Sequence, residues 1–112
     1  MVINVYSQYF QARACFSGVI RRGALVLLIS DSEAGMISYK AAVTFFPHRD
    51  AEDFGVSYDA YFEKEVYSAP GRRSRKREAV FLESLRSVID TLAAEHDAVV
   101  DWKHPLNEAR MG

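Results

Sequence analysis

Cysteine is scarce in this sequence, which has a single thiol at Cys15. One cysteine cannot close an internal disulfide, so a secreted scaffold framed by disulfides is excluded. At 112 residues, the chain is long enough to bury a core without a metal or a disulfide. A reducing compartment suits such a protein, and we expect it to be cytoplasmic.

Long apolar runs and an excess of charge of one sign are also missing. The longest strongly apolar run is Ala24–Ile29, far short of the roughly 20 residues that a membrane helix needs. No basic segment precedes an apolar one at the N-terminus, so we expect no signal peptide. The 14 basic and 15 acidic residues nearly cancel, and such a chain has no global attraction to nucleic acid or to an anionic membrane.

Motifs of the common enzyme classes are absent. The sequence has no G-x-G-x-x-G, no Walker pattern, no G-x-S-x-G and no H-E-x-x-H, so it offers no phosphate loop, nucleophile elbow or zincin helix. We therefore expect a binding protein rather than an enzyme, with no cofactor and no metal.

The apolar pattern has a two-residue period over residues 2–16, 36–46 and 56–68. This period predicts strands with one buried face, and a break is expected near Ser7. Ala24–Ile29 does not alternate, which predicts a central strand covered on both faces. Between these segments, Gly18 and Arg21–Gly23 are expected to be turns.

The period changes to that of a helix over residues 74–96, with Ser74 as the expected N-cap. Residues 98–102 are expected to form a short last strand. We predict an α+β fold: a two-layer sandwich in which an antiparallel sheet of about four to five strands packs against one long C-terminal helix. The domain is expected over residues 1–102, followed by a loose tail over residues 103–112.

A single helix covers only one face of such a sheet, so the other face should stay open. Since monomers seldom expose a large apolar patch, we predict a homodimer with two-fold symmetry. Its contact is expected on the outward side of the second strand, through Leu25, Leu27 and Ile29 or their alternates Val26 and Leu28.

Acidic and tyrosine side chains share one face of the fourth predicted strand, at Asp59, Tyr61, Glu63, Glu65 and Tyr67. Tyrosines beside carboxylates could bind a basic protein surface, because tyrosine contributes contact area at low entropic cost. In the alternative interpretation, the acids form cross-strand ion pairs with Lys40 and Arg13.

Basic residues precede the helix at Arg72, Arg73, Arg75, Lys76 and Arg77. Cations at a helix N-terminus oppose the macrodipole, at a cost of a few tenths of a kcal/mol each. Together with exposed N–H groups they could bind an anion such as a phosphate. A solvated loop is the alternative interpretation.

Three further groups of side chains are candidate sites. The loop over residues 48–53 begins with His48 and holds oxygen ligands, but it matches no calcium or zinc spacing. His96 and His104 lie near Asp97 and Asp101, and His96 is expected to act as a cation at the helix C-terminus. Cys15 lies within a strand. We assign no catalytic or metal-binding residue to any of them.

Small size, neutral charge and the lack of a catalytic motif are shared by many accessory proteins, including phage or mobile-element inhibitors of host machinery. The sequence thus predicts a small non-enzymatic interaction module that binds another protein and occludes its surface. The alternative function is binding of nucleic acid or a phosphate ligand through the basic segment.

Overall fold

A computed structural model describes residues 1–16, 18–47 and 60–106 of the chain. The elements follow in the order β1 (Val2–Phe16), β2 (Val19–Glu33), β3 (Met36–Phe46), β4 (Ala60–Pro70), α1 (Arg75–Ala94) and β5 (Val99–Leu106). The strands form one antiparallel 5-stranded sheet with the order β4-β3-β2-β1-β5. One helix packs on this sheet, so the predicted two-layer α+β fold is confirmed. Within the described ranges, no helix is long and apolar enough to cross a membrane.

Strand β2 lies in the middle of the sheet, between β1 and β3, as its apolar run predicts. Val26 and Leu28 are fully buried in the core, in register with β3 residues that share it. Leu27 points to the opposite face and is still only 8% exposed. The run therefore lacks alternation because both of its faces are largely covered.

The start of β2 differs from the prediction. The strand begins at Val19, so the expected turn at Arg21–Gly23 is wrong, and these residues pair with β1. Arg21 is buried and donates a hydrogen bond from Nη1 to the Phe16 carbonyl at 2.8 Å. Two arginines before a glycine are typical of a turn, but here Arg21 lies within a strand and its side chain bonds to the backbone of the neighbouring strand.

The ends of the sheet also extend beyond the expected bounds. β5 continues to Leu106, so residues 103–106 belong to the strand and not to the tail. Pro105 is tolerated there because β5 is an edge strand that needs no outward N–H. The expected break in β1 is a register shift between Asn4 and Tyr6. Residues 56–59, predicted to begin the fourth strand, lie outside the described residues.

The core lies between α1 and the sheet. The helix contributes Leu85, Ile89, Leu92 and Ala93, and the sheet contributes the apolar residues of β2 and β3 that face it. Trp102 of β5 also holds the helix on the sheet, because its Nε1 donates a hydrogen bond to Asp90 Oδ1 at 2.7 Å. Its ring also packs edge-on against Phe10, with 4.9 Å between centroids.

Gly23 is required by a close approach on the open side of the sheet. It pairs with Phe46, whose ring lies over the glycine so closely that a Cβ atom there would be 2.2 Å from Phe46 Cε2. Tyr9 packs edge-on against the same ring at 5.8 Å. An aromatic ring covering a glycine in a neighbouring strand buries backbone that would otherwise be exposed.

Two leucines on α1 test the placement of the helix. Leu85 is 4% exposed and Leu82 is 38% exposed. Leu85→Ala should lower the free energy of unfolding by about 2–5 kcal/mol, since it leaves a cavity in the core. Leu82→Ala is the matched control and should cost far less. Equal losses in urea denaturation would show that the helix packs through another face.

The glycine under Phe46 gives a second prediction. Gly23→Ala should destabilise the protein by about 1–3 kcal/mol, because the new methyl group must displace a packed ring. The same change in a Phe46→Ala background should cost less, since the obstructing ring is gone. Denaturation of the four proteins in this cycle measures the coupling, and a coupling of zero would contradict the packing described.

Candidate functional site

Part of the basic segment before α1 stabilises the start of the helix. Ser74 is the N-cap, as predicted: its Oγ accepts a hydrogen bond from the Arg77 N–H at 3.3 Å. Four residues after the cap, Glu78 is only 5% exposed. It accepts from Arg73 through two bonds, Nε to Oε2 at 2.8 Å and Nη2 to Oε1 at 3.0 Å. One carboxylate near the N-terminus therefore offsets part of the misplaced positive charge.

Tyr39 connects this ion pair to the sheet. Its hydroxyl donates to Glu78 Oε2 at 2.7 Å and accepts from the Ser74 N–H at 3.3 Å. Because two donors meet the Glu78 carboxylate, its pKa is lowered, chiefly by the bond from Arg73. Burial raises the pKa of Tyr39, and the bond to Glu78 raises it further. The start of the helix is thus hydrogen-bonded to Tyr39, the fourth residue of β3.

Signals for this network in the sequence are weak. Glu78 resembles any polar residue flanking the apolar stripe, and Tyr39 resembles any core aromatic. The signal available was one acid within the first turn of a helix that begins with three cations. A carboxylate in that place is expected to pair with a neighbouring cation.

Two of the five predicted anion-binding residues are already engaged. Arg73 is bonded to Glu78, and the Arg77 guanidinium lies over the Tyr67 ring, 4.5 Å from its centroid. The other three, Arg72, Arg75 and Lys76, are exposed, and within the described residues their side chains form no hydrogen bond or ion pair. These three are therefore the most accessible of the five to an anion.

Three of the predicted partner-binding residues lie together on the open face of β4. Tyr61, Glu63 and Glu65 are exposed and alternate with residues that face the helix side. Tyr61 donates from its hydroxyl to Glu63 Oε2 at 2.7 Å, and Lys40 Nζ lies 3.7 Å from Glu63 Oε1. Partial burial, followed by the bond to Glu63, raises the pKa of Tyr61 to about 12. The tyrosine is therefore held as a neutral donor beside the acids.

Tyr67 does not belong to this group, contrary to the prediction. A register shift between Tyr39 and Lys40 gives β4 one extra residue at Val66. The bulge turns Tyr67 to the helix side, where its ring packs against Phe81 at 5.6 Å. Asp59, the remaining predicted residue, lies outside the described residues.

The expected ion pairs of this face are formed in part. Lys40 does pair with Glu63, as the alternative interpretation holds. Arg13 lies on β1, separated from β4 by two strands. Glu65 stands opposite Lys40 in the register, yet in the described part of the chain it has no ion-pair partner. We name the exposed group Tyr61, Glu63 and Glu65 the acid–tyrosine patch.

An apolar strip adjoins the acid–tyrosine patch on the same face. Its members come from β1, β2 and β3 and share the side that the helix does not cover: Tyr9, Leu25, Leu27, Ile29, Ala42 and Phe46. Ala42 and Phe46 are buried by their neighbours, while Leu25 and Ile29 are half-buried. The alternates considered for the dimer contact, Val26 and Leu28, face the helix and are unavailable. The open face thus has an apolar centre with a polar, acidic border.

A cleft of about 1190 Å³ lies beside β1, β2 and β5. Its lining combines basic and acidic side chains: Arg13, Arg22, Lys103, Asp97 and Asp101. Exposed Cys15 also borders it, and no bond between Cys15 and a histidine occurs in the described residues. The mixed charges do not specify one class of ligand.

The histidines do not assemble into one cluster. His96 stacks on Phe62 with 3.8 Å between ring centroids, whereas His104 Nδ1 lies 2.7 Å from Asp101 Oδ2. His96 is therefore a packing residue as well as a helix-end residue. Across the described ranges, no group of three potential ligands could hold a metal ion. The loop containing His48 lies outside those ranges.

Comparison of the chain with protein-family models, curated protein sequences and solved structures finds no match.

The pKa of Glu78 predicts a dependence of stability on pH. Since folding lowers this pKa, the ionised Glu78 carboxylate contributes fully to the free energy of unfolding above the unfolded pKa of about 4.3. This contribution is lost as the pH falls through the folded pKa. Glu78→Gln removes the charge, so its melting temperature should lie well below wild type at pH 7 and approach it in acid. Glu83→Gln, at an exposed position on the same helix, is the control. A gap between Glu78→Gln and wild type that stays constant down to pH 2 would contradict the assignment.

Proposed function

We propose that the protein is a non-catalytic module that binds another protein through its open sheet face. The observation that carries the proposal is the arrangement on this face: the half-buried apolar side chains of Tyr9, Leu25 and Ile29 beside an exposed acid–tyrosine patch. An apolar centre with a polar border is the usual anatomy of a protein interface. Aromatic residues with a polar tip are favoured there.

Charge indicates the kind of partner. The patch has two carboxylates against one nearby ammonium, and Glu65 is left without an ion pair in the described residues. A partner with a basic rim and apolar side chains at its centre would complement both parts of the face. Tyr61 is 49% exposed and held by Glu63, so little rotamer freedom would be lost when it is covered.

We infer that the protein acts by covering the surface of its partner. A small protein that covers a basic surface excludes the surface's other ligands, as accessory or inhibitor proteins of phages and mobile elements do. We place it in the cytoplasm, because its one cysteine is free and exposed and an exposed thiol suits a reducing compartment.

Matched charge reversals test this function. Glu65→Lys alters the patch, and Glu83→Lys makes the same change at an exposed position on the helix. Captured proteins from the native host are quantified for wild type, both reversals and Tyr61→Ala. We expect a partner that is retained by wild type and Glu83→Lys and reduced at least tenfold by Glu65→Lys and by Tyr61→Ala. Proteins captured equally by all four would refute binding through this face.

The alternative function, binding of nucleic acid or a phosphate ligand, would use Arg72, Arg75 and Lys76. Their exposure supports it, while the engagement of Arg73 and Arg77 weakens it. Binding to single- and double-stranded oligonucleotides at low salt separates the two functions, because phosphate contacts weaken steeply as salt rises. Affinity that is lost when all three cations become alanine would favour the alternative.

A further inference from the structure

In the part of the chain that the structure describes, the outer edge of β1 is unpaired along about half of its length. β5 pairs with β1 only from Tyr9 to Arg13. No strand of the described residues pairs with this edge over Val2–Gln8, although β2 pairs with the other side from Val2 onwards. Backbone N–H and C=O groups on such an edge are available to another strand.

This open edge is held in the strand conformation up to the first residue. The Met1 amino group donates to the Ser32 carbonyl at 2.6 Å, and the Ser32 N–H donates to the Met1 carbonyl at 2.9 Å. The amino group also lies 3.7 Å from Asp31 Oδ1. A strand that is already ordered loses little conformational entropy on pairing.

The other two edges carry features that discourage pairing. β4 has a bulge at Val66, a charged Lys64 on its helix side and Pro70 at its end. β5 has a register irregularity that leaves residues 102–104 out of register, and it contains Pro105. Bulges, charges and prolines are the usual protection of edge strands. Val2–Gln8 has no charge, no glycine and no proline; its one such feature is the register shift beside Val5.

We propose that Val2–Ser7 pairs with the same segment of a second copy, antiparallel about a two-fold axis, to form a homodimer with a continuous sheet. The absence of charge in this segment favours a second copy of the same strand as the partner. A strand without charges can oppose itself without repulsion, whereas β4 against β4 would bring Glu63, Lys64 and Glu65 of the two copies together. The contact also covers Val2, which is 65% exposed.

The geometry accommodates both copies. β5 occupies the same edge of β1 further along, beyond Gln8. With Val2 opposite Ser7, Met1 of each copy faces Gln8 of the other and stops short of Tyr9, where Leu106 is paired. Among the described residues, each β5 therefore lies past the end of the partner strand. The interface is small, and a weak dimer in the micromolar range is expected. It differs from the dimer through Leu25, Leu27 and Ile29 expected from sequence, and it does not depend on the proposed function.

Sedimentation equilibrium of the full chain between about 1 and 300 µM tests the proposal. We expect a transition from 12.7 kDa to twice that mass. Val2→Lys with Asn4→Lys places like charges along the edge on exposed positions and should shift the dissociation constant at least tenfold upwards. Val80→Lys with Ser84→Lys adds the same charge to the exposed helix surface and should leave dimerisation unchanged.

Hydrogen exchange on wild type supplies a second measurement that requires no variant. Amides within Val2–Ser7 should gain protection as the protein concentration rises. A monomer throughout the concentration range would overturn the proposal. Amides of this segment that are protected equally at every concentration would also overturn it, since the chain would then cover its own edge. A dimer that both lysine pairs leave intact would also overturn it, since the contact would then lie elsewhere.

Discussion

In the part of the chain that the structure describes, one helix covers a sheet of five strands, and much of the packing follows from this imbalance. α1 shields only one side, so the strongly apolar β2 needs cover from the sheet itself on the other. Phe46 supplies part of that cover by lying over Gly23, and Tyr9 packs against the ring. Leu27 and Ala42, on the same face, are buried as well. The remaining apolar side chains of this face, Tyr9, Leu25 and Ile29, are half-buried.

The same imbalance makes the attachment of the helix important. Within the described ranges α1 has no neighbouring helix to pack against, so specific bonds near its ends help to hold it on the sheet. At the start, Tyr39, Arg73 and Glu78 form a buried carboxylate network; near the end, Trp102 bonds Asp90. A buried carboxylate is costly unless it is fully paired. The basic run before the helix thus includes the cation that makes the buried Glu78 tolerable.

Periodicity in the sequence was sufficient for the elements but not for local shifts of register. The helix, the Ser74 cap and the central position of β2 follow from spacing and side-chain chemistry, and the structure has all three. Tyr67 shows the limit: one extra residue at Val66 reverses the side on which every later residue lies. Gly23 shows another, because a glycine under an aromatic ring and a glycine in a turn are alike in sequence. Of the predicted patch, three residues were therefore placed together, one was turned away and one lies outside the described ranges.

The open edge and the open face are perpendicular surfaces, so occupation of one does not exclude occupation of the other. In the proposed dimer the two-fold axis is perpendicular to the sheet, and both open faces point to the same side. β4 and its symmetry mate would then stand seven strand spacings apart, roughly 34 Å before allowance for twist at about 4.8 Å per spacing. Two acid–tyrosine patches at that separation can be engaged together only by a partner that is itself dimeric or repeated. For such a partner, the second contact would be intramolecular and would raise the overall affinity without any new interaction. A monomeric basic protein would gain nothing from the dimer, so the effect of the edge variant on partner binding reports the symmetry of the partner.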